Sequence, residues 1–260
     1  MIHLVTNPIG VLALAKREIY RFFSVAYQTI VPPLLSSTLF MYIFGVAIGS
    51  RVDFSATGLS YLQFITPGLM GMHLISSSYE NTSSSLFIGR WHNHIQEILL
   101  APLSYIEIVL GLLAGGVARG MLVCMGVWLV SLLFTHSPTI AHPLALLYFM
   151  LTIAVIFSCA GMIGALWAED FGMLSTWNTY VIMPLALLGG VFHPLFMLPQ
   201  ACQILTHFNP IYYLISGIRY SMTSVTDTPV SICAAVSLAL AGLFFLVTVY
   251  LFKIGYKLRT

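Results

Sequence analysis

Long apolar segments, separated by short polar turns, recur from one end of this 260-residue chain to the other. A helix needs ~20 apolar residues to cross a bilayer, so six crossings would occupy about half of the chain. Only 7% of the residues are charged and the formal net charge is +2, whereas roughly 25% are charged in a soluble domain. These values exclude a soluble fold, a disordered chain and a nucleic-acid-binding protein. The sequence therefore predicts an all-α membrane protein.

We predict a single domain over residues 1–260 with six transmembrane helices. They cover residues 27–48, 61–88, 106–134, 144–167, 173–192 and 231–254. Residues 76–85 make the second span unusually polar, so this part is expected to face protein or a water path rather than lipid. In the third span, Gly111 and Gly115, and then Gly116 and Gly120, form two GxxxG spacings. Such spacings allow a neighbouring helix to approach closely.

A segment before the first span, residues 9–23, is helical in pattern but too charged to cross the membrane. Lys16, Arg17, Glu18 and Arg21 fall in one arc of the helix, and most apolar residues fall in the opposite arc. This pattern is typical of a helix that lies in the membrane interface. The alternative is that the segment is simply the cytoplasmic end of the first span.

Two further segments are expected not to span. Residues 90–102 are too charged and too short, which predicts a short amphipathic helix ended by Pro102 or, alternatively, a plain connecting loop. Pro194, Pro199 and Pro210 divide residues 193–230 into apolar pieces that are too short to cross the hydrocarbon. Such pieces suit re-entrant or interfacial half-helices packed against the bundle, and the alternative is an apolar outer loop.

The distribution of positive charge predicts that both termini are cytoplasmic. In that orientation the inner side receives Lys16, Arg17, Arg21, Arg90, Lys253, Lys257 and Arg259, and the outer side receives Arg51 and Arg219. The same orientation places residues 90–102 in the cytoplasm and residues 193–230 outside. Cys202 and Cys233 then share the outer side, which leaves a disulfide between them open.

The chain carries no motif for an energy-yielding reaction. It contains neither GxxxxGK[ST] nor HExxH, and His92 and His94, two residues apart on a helix, point away from each other and cannot easily share a metal ion. Glu80 and Arg119 lie within antiparallel spans, where an ion pair would lower the cost of burying either charge. A structural pair or a polar wall is favoured over a proton relay. These features indicate a transport path that takes its energy from a partner, with residues 90–102 suited to a groove on that partner.

Four short sequence patterns resemble those of one known family. They are QTIVPP at residues 28–33, EILLAP at 97–102, GGVFHP at 189–194 followed by Leu198-Pro199, and NPIYY at 209–213 followed by Arg219. In this order they resemble type-2 ABC exporter permeases, the ABC-2 integral membrane family. Within it, the chain is similar to nodulation-type lipo-oligosaccharide exporter permeases and their enterobacterial relatives. Glu80 and His193 depart from the family pattern.

The resemblance implies a permease subunit of an ATP-driven exporter in the bacterial inner membrane. Two copies would form the path above two copies of a separate P-loop ABC ATPase, which would hold the ATP and magnesium, so that this chain has no cofactor and no enzymatic activity. The cargo would be a (glyco)lipid, an oligosaccharide or a drug-like compound. The alternative is a stand-alone ion-coupled transporter or channel, whose sign would be an essential acidic residue at mid-membrane.

The resemblance also implies roles for particular residues. Contact with the ATPase falls to the amphipathic helix and to a coupling helix after the second span: Lys16, Arg17, Arg21, Arg90, Trp91, His94, Glu97, Leu100 and Pro102. An outer gate built from half-helices would contain Gly189, Gly190, Phe192, Pro194, Pro199, Asn209, Pro210, Tyr213 and Arg219. Four aromatic residues are candidates for lining the path, although core packing or an interface belt explains each equally well: Tyr42, Phe44, Trp177 and Tyr180.

Overall fold

The computed structural model describes residues 7–48, 58–134 and 140–258, and within these ranges the chain is helical, with no β-strand. The predicted all-α class is therefore confirmed for the part of the chain that is described. Arg51 and Arg259, which contribute to the predicted orientation, lie outside the described residues.

The described helices follow one another with short connections. Their bounds are α1 Pro8–Ser24, α2 Ala26–Phe40, α3 Tyr61–Trp91, α4 Ile95–Leu100, α5 Tyr105–Ser131, α6 Pro143–Trp167, α7 Phe171–Trp177, α8 Met183–Leu188, α9 Gln200–Phe208, α10 Pro210–Thr223 and α11 Val230–Ile254. Two stretches have the wider turn of a π-helix: Met41–Ile48 continues α2, and Asn178–Ile182 joins α7 to α8.

Local capping residues set several helix ends. The Ser60 hydroxyl accepts a hydrogen bond from the Gln63 backbone N–H, and the Ser60 backbone N–H donates one to the Gln63 side-chain oxygen, which is a capping box at the start of α3. Ser104 and Glu107 form the same arrangement at the start of α5. Gly255, in the left-handed region at φ 70°, ends α11.

Four helical stretches are long and apolar enough to cross a membrane: Tyr105–Ser131, Pro143–Trp167, Phe171–Leu188 and Val230–Ile254. At 31 residues α3 is longer than any of these, but its polar run removes it from the set. The predicted first span contains Pro32 and Pro33 inside α2 and changes to the wider helical turn at Met41. Six spans thus remain a prediction, since composition and length establish only these four among the described residues.

α3 lies at the centre of the bundle, packed against α5, α6 and α10. Most of its residues are buried, including many of the polar ones. The predicted close approach at the α5 glycines is confirmed. A Cβ at Gly111 would lie 2.6 Å from Leu14 in α1, and one at Gly116 would lie 2.7 Å from Thr82 in α3. The four glycines therefore allow α1 to pack closely on one side of α5 and α3 to pack closely on another.

The bundle has two distinct ends. At the end that carries α4, the backbone N–H of Asn7 donates to Glu107 at 2.6 Å, and Lys257 pairs with Glu169 at 3.0 Å. Both ends of the described chain therefore lie on this side, which we call the α4 end. At the opposite end, the backbone N–H of His142 donates to the Ser221 carbonyl at 2.8 Å. This joins the start of α6 to the end of α10, and we call it the α10 end.

Candidate functional site

The helix predicted over residues 90–102 is shorter in the structure. α4 comprises only Ile95–Leu100, and Arg90 and Trp91 belong to the last turn of α3. The interruption comes at Asn93, which adopts the left-handed conformation at φ 60°, a region that Asn tolerates better than most residues. The prediction of one continuous short helix there is therefore wrong at its first residues.

α4 presents one row of side chains to the outside, while Ile95, Ile98 and Leu99 pack against the bundle. Ile95 is 3% exposed and belongs to a buried cluster with residues of α3, α5 and α6. Trp91 and Leu100 are 59% and 86% exposed, and His94 and Glu97 lie between them with their side chains 3.7 Å apart. His94, Glu97 and Leu100 are three residues apart and form one exposed strip along α4, which we call the α4 strip, whereas Trp91 lies before the interruption, at the end of α3.

Arg90 does not belong to this strip. Its guanidinium donates to the carbonyl oxygens of Ala165, Leu166 and Ala168 at the end of α6. These are carbonyls that a helix C-terminus leaves without an intrahelical partner. Arg90 therefore joins α3 to α6, whereas the resemblance assigned it to contact with a partner protein.

α1 runs beside the start of α5 and forms a groove with α4. Lys16 and Arg17 are exposed, and the Lys16 ammonium lies 5.7 Å from the centre of the Tyr20 ring. Arg17, Glu97 and Pro102 line the groove, which has a volume of about 310 Å³. Two elements that the sequence assigned to partner contact are thus adjacent in the fold.

The charged arc predicted for α1 is divided. Glu18 is fully buried against α5, where a Cβ at Gly115 would lie 2.6 Å from the Glu18 Cβ. Its carboxylate accepts hydrogen bonds from Ser85 at 2.6 Å and from Arg21 at 3.2 Å. The expectation that Glu18 lies in the same arc as the solvated charges is therefore wrong, because the small residues of α5 bring this side of α1 into the bundle.

Arg21 is drawn into the bundle with Glu18. Its guanidinium donates to the backbone carbonyl of Asn81 at 2.7 Å and to the Asn81 side chain at 3.0 Å. These bonds tie α1 to the polar run of α3. Arg21, which the resemblance assigned to partner contact, thus has its hydrogen bonds within the chain.

The ion pair between Glu80 and Arg119 is present. One Glu80 oxygen accepts from Arg119 at 3.1 Å, and the other accepts from the side-chain amide of Asn178 at 3.1 Å. The Arg119 side chain is 7% exposed and that of Glu80 is 49% exposed. Glu80 therefore links α3 to α5 and to the wider turn after α7, with part of its carboxylate on the surface of the chain.

The residues of the predicted outer gate form a packed joint between α8 and α10. Asn209 caps α10 through the Ile211 amide, and its own amide donates to the Leu185 carbonyl at 2.6 Å. Arg219 is buried, with its guanidinium 4.0 Å from the centre of the Phe64 ring, and it donates to the carbonyl of Gly190.

Two glycines in this joint are required by geometry. Gly190 has φ 80°, a region that residues with a Cβ rarely adopt. A Cβ at Gly68 of α3 would lie 2.6 Å from the Val191 carbonyl oxygen. The pattern that resembled a family signature is therefore explained here by the close contact of this turn with α3.

The remaining gate residues have separate positions. The Phe192 carbonyl accepts from the Tyr61 hydroxyl at 3.0 Å, and the Tyr213 hydroxyl donates to the His207 carbonyl at 2.9 Å. Gly189 ends α8, Pro194 is buried, Pro199 precedes α9 and Pro210 begins α10.

α10 is packed in the bundle, whereas the apolar side of α9 is largely exposed. Cys202 and Cys233 are both free thiols.

The four candidate path residues are not brought together. The Phe44 ring lies 5.1 Å from that of Phe192, and Trp177 packs edge-to-face on Trp167 at 5.9 Å. Tyr42 and Tyr180 are exposed. These positions connect Phe44 to the predicted gate, whereas the other three side chains are exposed.

The reasoning from sequence missed three polar residues: Glu18, Asn81 and Asn178. Asn81 lies in the polar run of α3, which predicted a polar environment without naming its partners. Asn178 follows an apolar stretch and gave no signal. The wider helical turn that presents it to Glu80 is known only from the structure.

Taken together, the apolar helices and the polar contacts buried between them define a polytopic helical membrane protein. Residues 10–223 match the model of the family described as ABC-2 type transporter. The chain belongs to this family, as the membrane component of an ABC transporter.

The chain is 40% identical over 244 residues to the "Inner membrane transport permease YadH" of Escherichia coli (strain K12), and the match covers 94% of each chain. It is also similar to "Nodulation protein J" of Rhizobium leguminosarum bv. viciae, at 26% identity over 81% of each chain. "Nodulation protein J" of Rhizobium meliloti (strain 1021) is 25% identical over 80% of this chain and 79% of that protein.

Proposed function

We propose that this chain is the permease of an ATP-driven exporter in the bacterial inner membrane. Two copies enclose the path, and two copies of a separate P-loop ABC ATPase bind at the α4 end and supply the ATP and magnesium. The cargo class is a (glyco)lipid, an oligosaccharide or a drug-like compound. The name of the relative in Escherichia coli supports the location, and the family supports the association with an ATPase.

In this proposal the α4 end faces the cytoplasm. The exposed cations Lys16, Arg17 and Lys253 lie on helices that reach this end, as expected for the side that retains positive charge. The ion pair between Lys257 and Glu169 places the end of α11 there as well. The proposal retains six spans, with α2 and its continuation as the first and α3 as the second, and half-helices on the outer side.

The observation that carries the proposal is the α4 strip. Leu100 is 86% exposed although Ile95, five residues earlier, is buried. A short helix that packs on the bundle on one side and is exposed along an apolar and charged strip on the other is suited to enter a groove of a partner. ATP binding would close the two ATPase subunits, and α4 would transmit that movement to α3 and, through α1, to α5.

The proposal predicts that Leu100→Asp weakens binding of the ATPase. A charge within the partner contact should reduce stimulation of the ATPase about tenfold or more, since interface residues of this kind contribute ~1.4 kcal/mol or more. Glu97→Arg should also reduce stimulation of the ATPase. Gln96→Ala, at an exposed position of α4 outside the strip, serves as the matched control.

The measurement is native mass spectrometry together with ATPase assays, on protein purified from cells that co-express the neighbouring reading frames. The expected result is a complex of two permeases and two ATPases for the unchanged chain and for Gln96→Ala. Leu100→Asp should insert but lose the ATPases. Transport by the isolated chain without any ATPase would instead favour the ion-coupled alternative and would contradict the proposal.

A further inference from the structure

A cavity of about 460 Å³ lies between α6 on one side and α7, α8, α10 and α11 on the other. Its walls are almost entirely apolar. Six residues illustrate its extent: Ile156, Ala160, Trp167, Trp177, Val181 and Leu240. Trp177 is also one of the candidate path residues, and Pro210 of the predicted outer gate lines the cavity as well.

Small residues of α6 leave space on its side that faces α7 and α8, and this space is the cavity. Ala160 and Gly164 lie on the α6 wall. The Tyr79 ring covers Gly164, where a Cβ would lie 2.7 Å from the Tyr79 hydroxyl. That hydroxyl donates to the Leu174 carbonyl at 3.3 Å, so it is already hydrogen-bonded within the protein. On the opposite wall, the wider turn Asn178–Ile182 displaces the helix path.

The size and chemistry of the cavity specify its ligand. Water needs several polar partners, and these walls offer few, whereas apolar cavities of ~150 Å³ bind benzene. The volume here is about three times larger. Ile156 and Trp167 both line it and are eleven residues apart on α6, which corresponds to roughly 16 Å along a helix. An elongated apolar space of this kind fits an alkyl chain and does not fit a sugar or an ion.

The position of the cavity gives such a chain a route of entry. In the most apolar parts of Phe171–Leu188 and Val230–Ile254 only 17% and 22% of the residues are buried in the chain. Trp167, the last residue of α6, packs edge-to-face on Trp177 at one end of the cavity. Each of the two side chains is about two-fifths exposed. Tryptophan is enriched where hydrocarbon meets the headgroups.

We infer that this cavity binds the alkyl chain of a membrane amphiphile, with its polar end near Trp167 and Trp177. The amphiphile is either a two-chain phospholipid of the bilayer or a single-chain compound. The inference requires only that the chain lies in a membrane, and it holds whether or not an ATPase drives transport.

The test is photolabelling of the full chain in phosphatidylcholine vesicles that contain a phospholipid with a diazirine on its acyl chain. Mass spectrometry should find the label in the segment 156–160. Ile156 is only 3% exposed, so lipid outside the protein does not reach it. A parallel experiment with a diazirine-bearing fatty acid identifies which of the two kinds of amphiphile the cavity prefers.

Two variants place a larger side chain in the cavity, one from each of two opposite walls. If one of them fails to fold, the other still tests the inference. Ala160→Phe and Val181→Trp should each reduce labelling of the segment at least fivefold. Leu246→Phe, at a position of α11 that is 67% exposed and does not line the cavity, should leave it unchanged. Equal labelling in the filled variants, or label on the exposed side of α11 with none at 156–160, would overturn the inference.

Discussion

At the scale of single residues, two charged side chains buried in the bundle, Glu18 and Arg119, have polar partners on other helices. Glu80 contacts Arg119 of α5 and Asn178 after α7, and Glu18 contacts Ser85 of α3. In a bilayer an unpaired charge is costly, so these contacts determine which helices lie together. Polar groups thus select the packing partners in a chain where nearly every surface is apolar.

A double-mutant cycle tests this argument for the Glu80–Arg119 pair. Glu80→Ala and Arg119→Ala should each lower the apparent Tm in detergent. Because either change alone leaves the other side chain without its partner, the combined effect should be smaller than the sum by about 1–2 kcal/mol. The pair Lys257 and Glu169 is the control, and its coupling should be below about 1 kcal/mol because Glu169 is mostly exposed. Full additivity at Glu80 and Arg119 would contradict the argument.

At the scale of helices, close contact between α3 and α6 depends on Gly161. A Cβ at this position would meet the backbone carbonyl of Tyr79, and it would lie 3.2 Å from the Ser83 nitrogen. Backbone atoms within a buried helix cannot move aside as a flexible side chain can. α3 and α6 therefore approach each other more closely than helices with larger residues at the crossing.

Gly161→Ala should accordingly destabilise the protein by about 1–3 kcal/mol, the usual cost of overpacking. Gly242→Ala is the matched control, since a Cβ at Gly242 in α11 meets no atom within 4 Å. Alanine is favoured over glycine in a helix by roughly 0.5–1 kcal/mol, so this change should be neutral or stabilising. Thermal unfolding of both variants in the same detergent gives the comparison, and equal Tm values would show that the crossing tolerates a methyl group.

The helices themselves could be predicted from the sequence better than their contacts. Apolar runs and helix-breaking residues predicted the bounds of α5, α6 and α11 to within a few residues, because the length and composition of a segment are enough to identify such helices. The period of α1 separated polar from apolar residues, but it could not show that the side bearing Glu18 faces α5. The role of Arg90 depends on the end of α6, about 75 residues later in the chain, and no local pattern reports a contact at that distance.

At the scale of the whole molecule, the two ends of the bundle differ in what they expose. The α4 end carries the α4 strip and the groove shared by α1 and α4. At the α10 end, the ring of His142 stacks on Tyr220 at 4.9 Å, and the loop between α10 and α11 exposes Asp227. Since the proposed function requires the α4 end to be cytoplasmic, the two ends should differ in their access to reagents outside the cell.

His94→Cys and Asp227→Cys test this difference in a Cys202→Ser background. The other three cysteines are buried, so each variant has one accessible thiol. In spheroplasts, a membrane-impermeant maleimide should label Asp227→Cys at least tenfold faster than His94→Cys, because the bilayer separates the reagent from the α4 end. In cells that express this chain without an ATPase, permeabilisation should equalise the two rates, since both positions are exposed in the fold. Labelling of His94→Cys in sealed spheroplasts would place the α4 strip outside, where no ATP-dependent partner could reach it, and the proposed coupling through α4 would then be wrong.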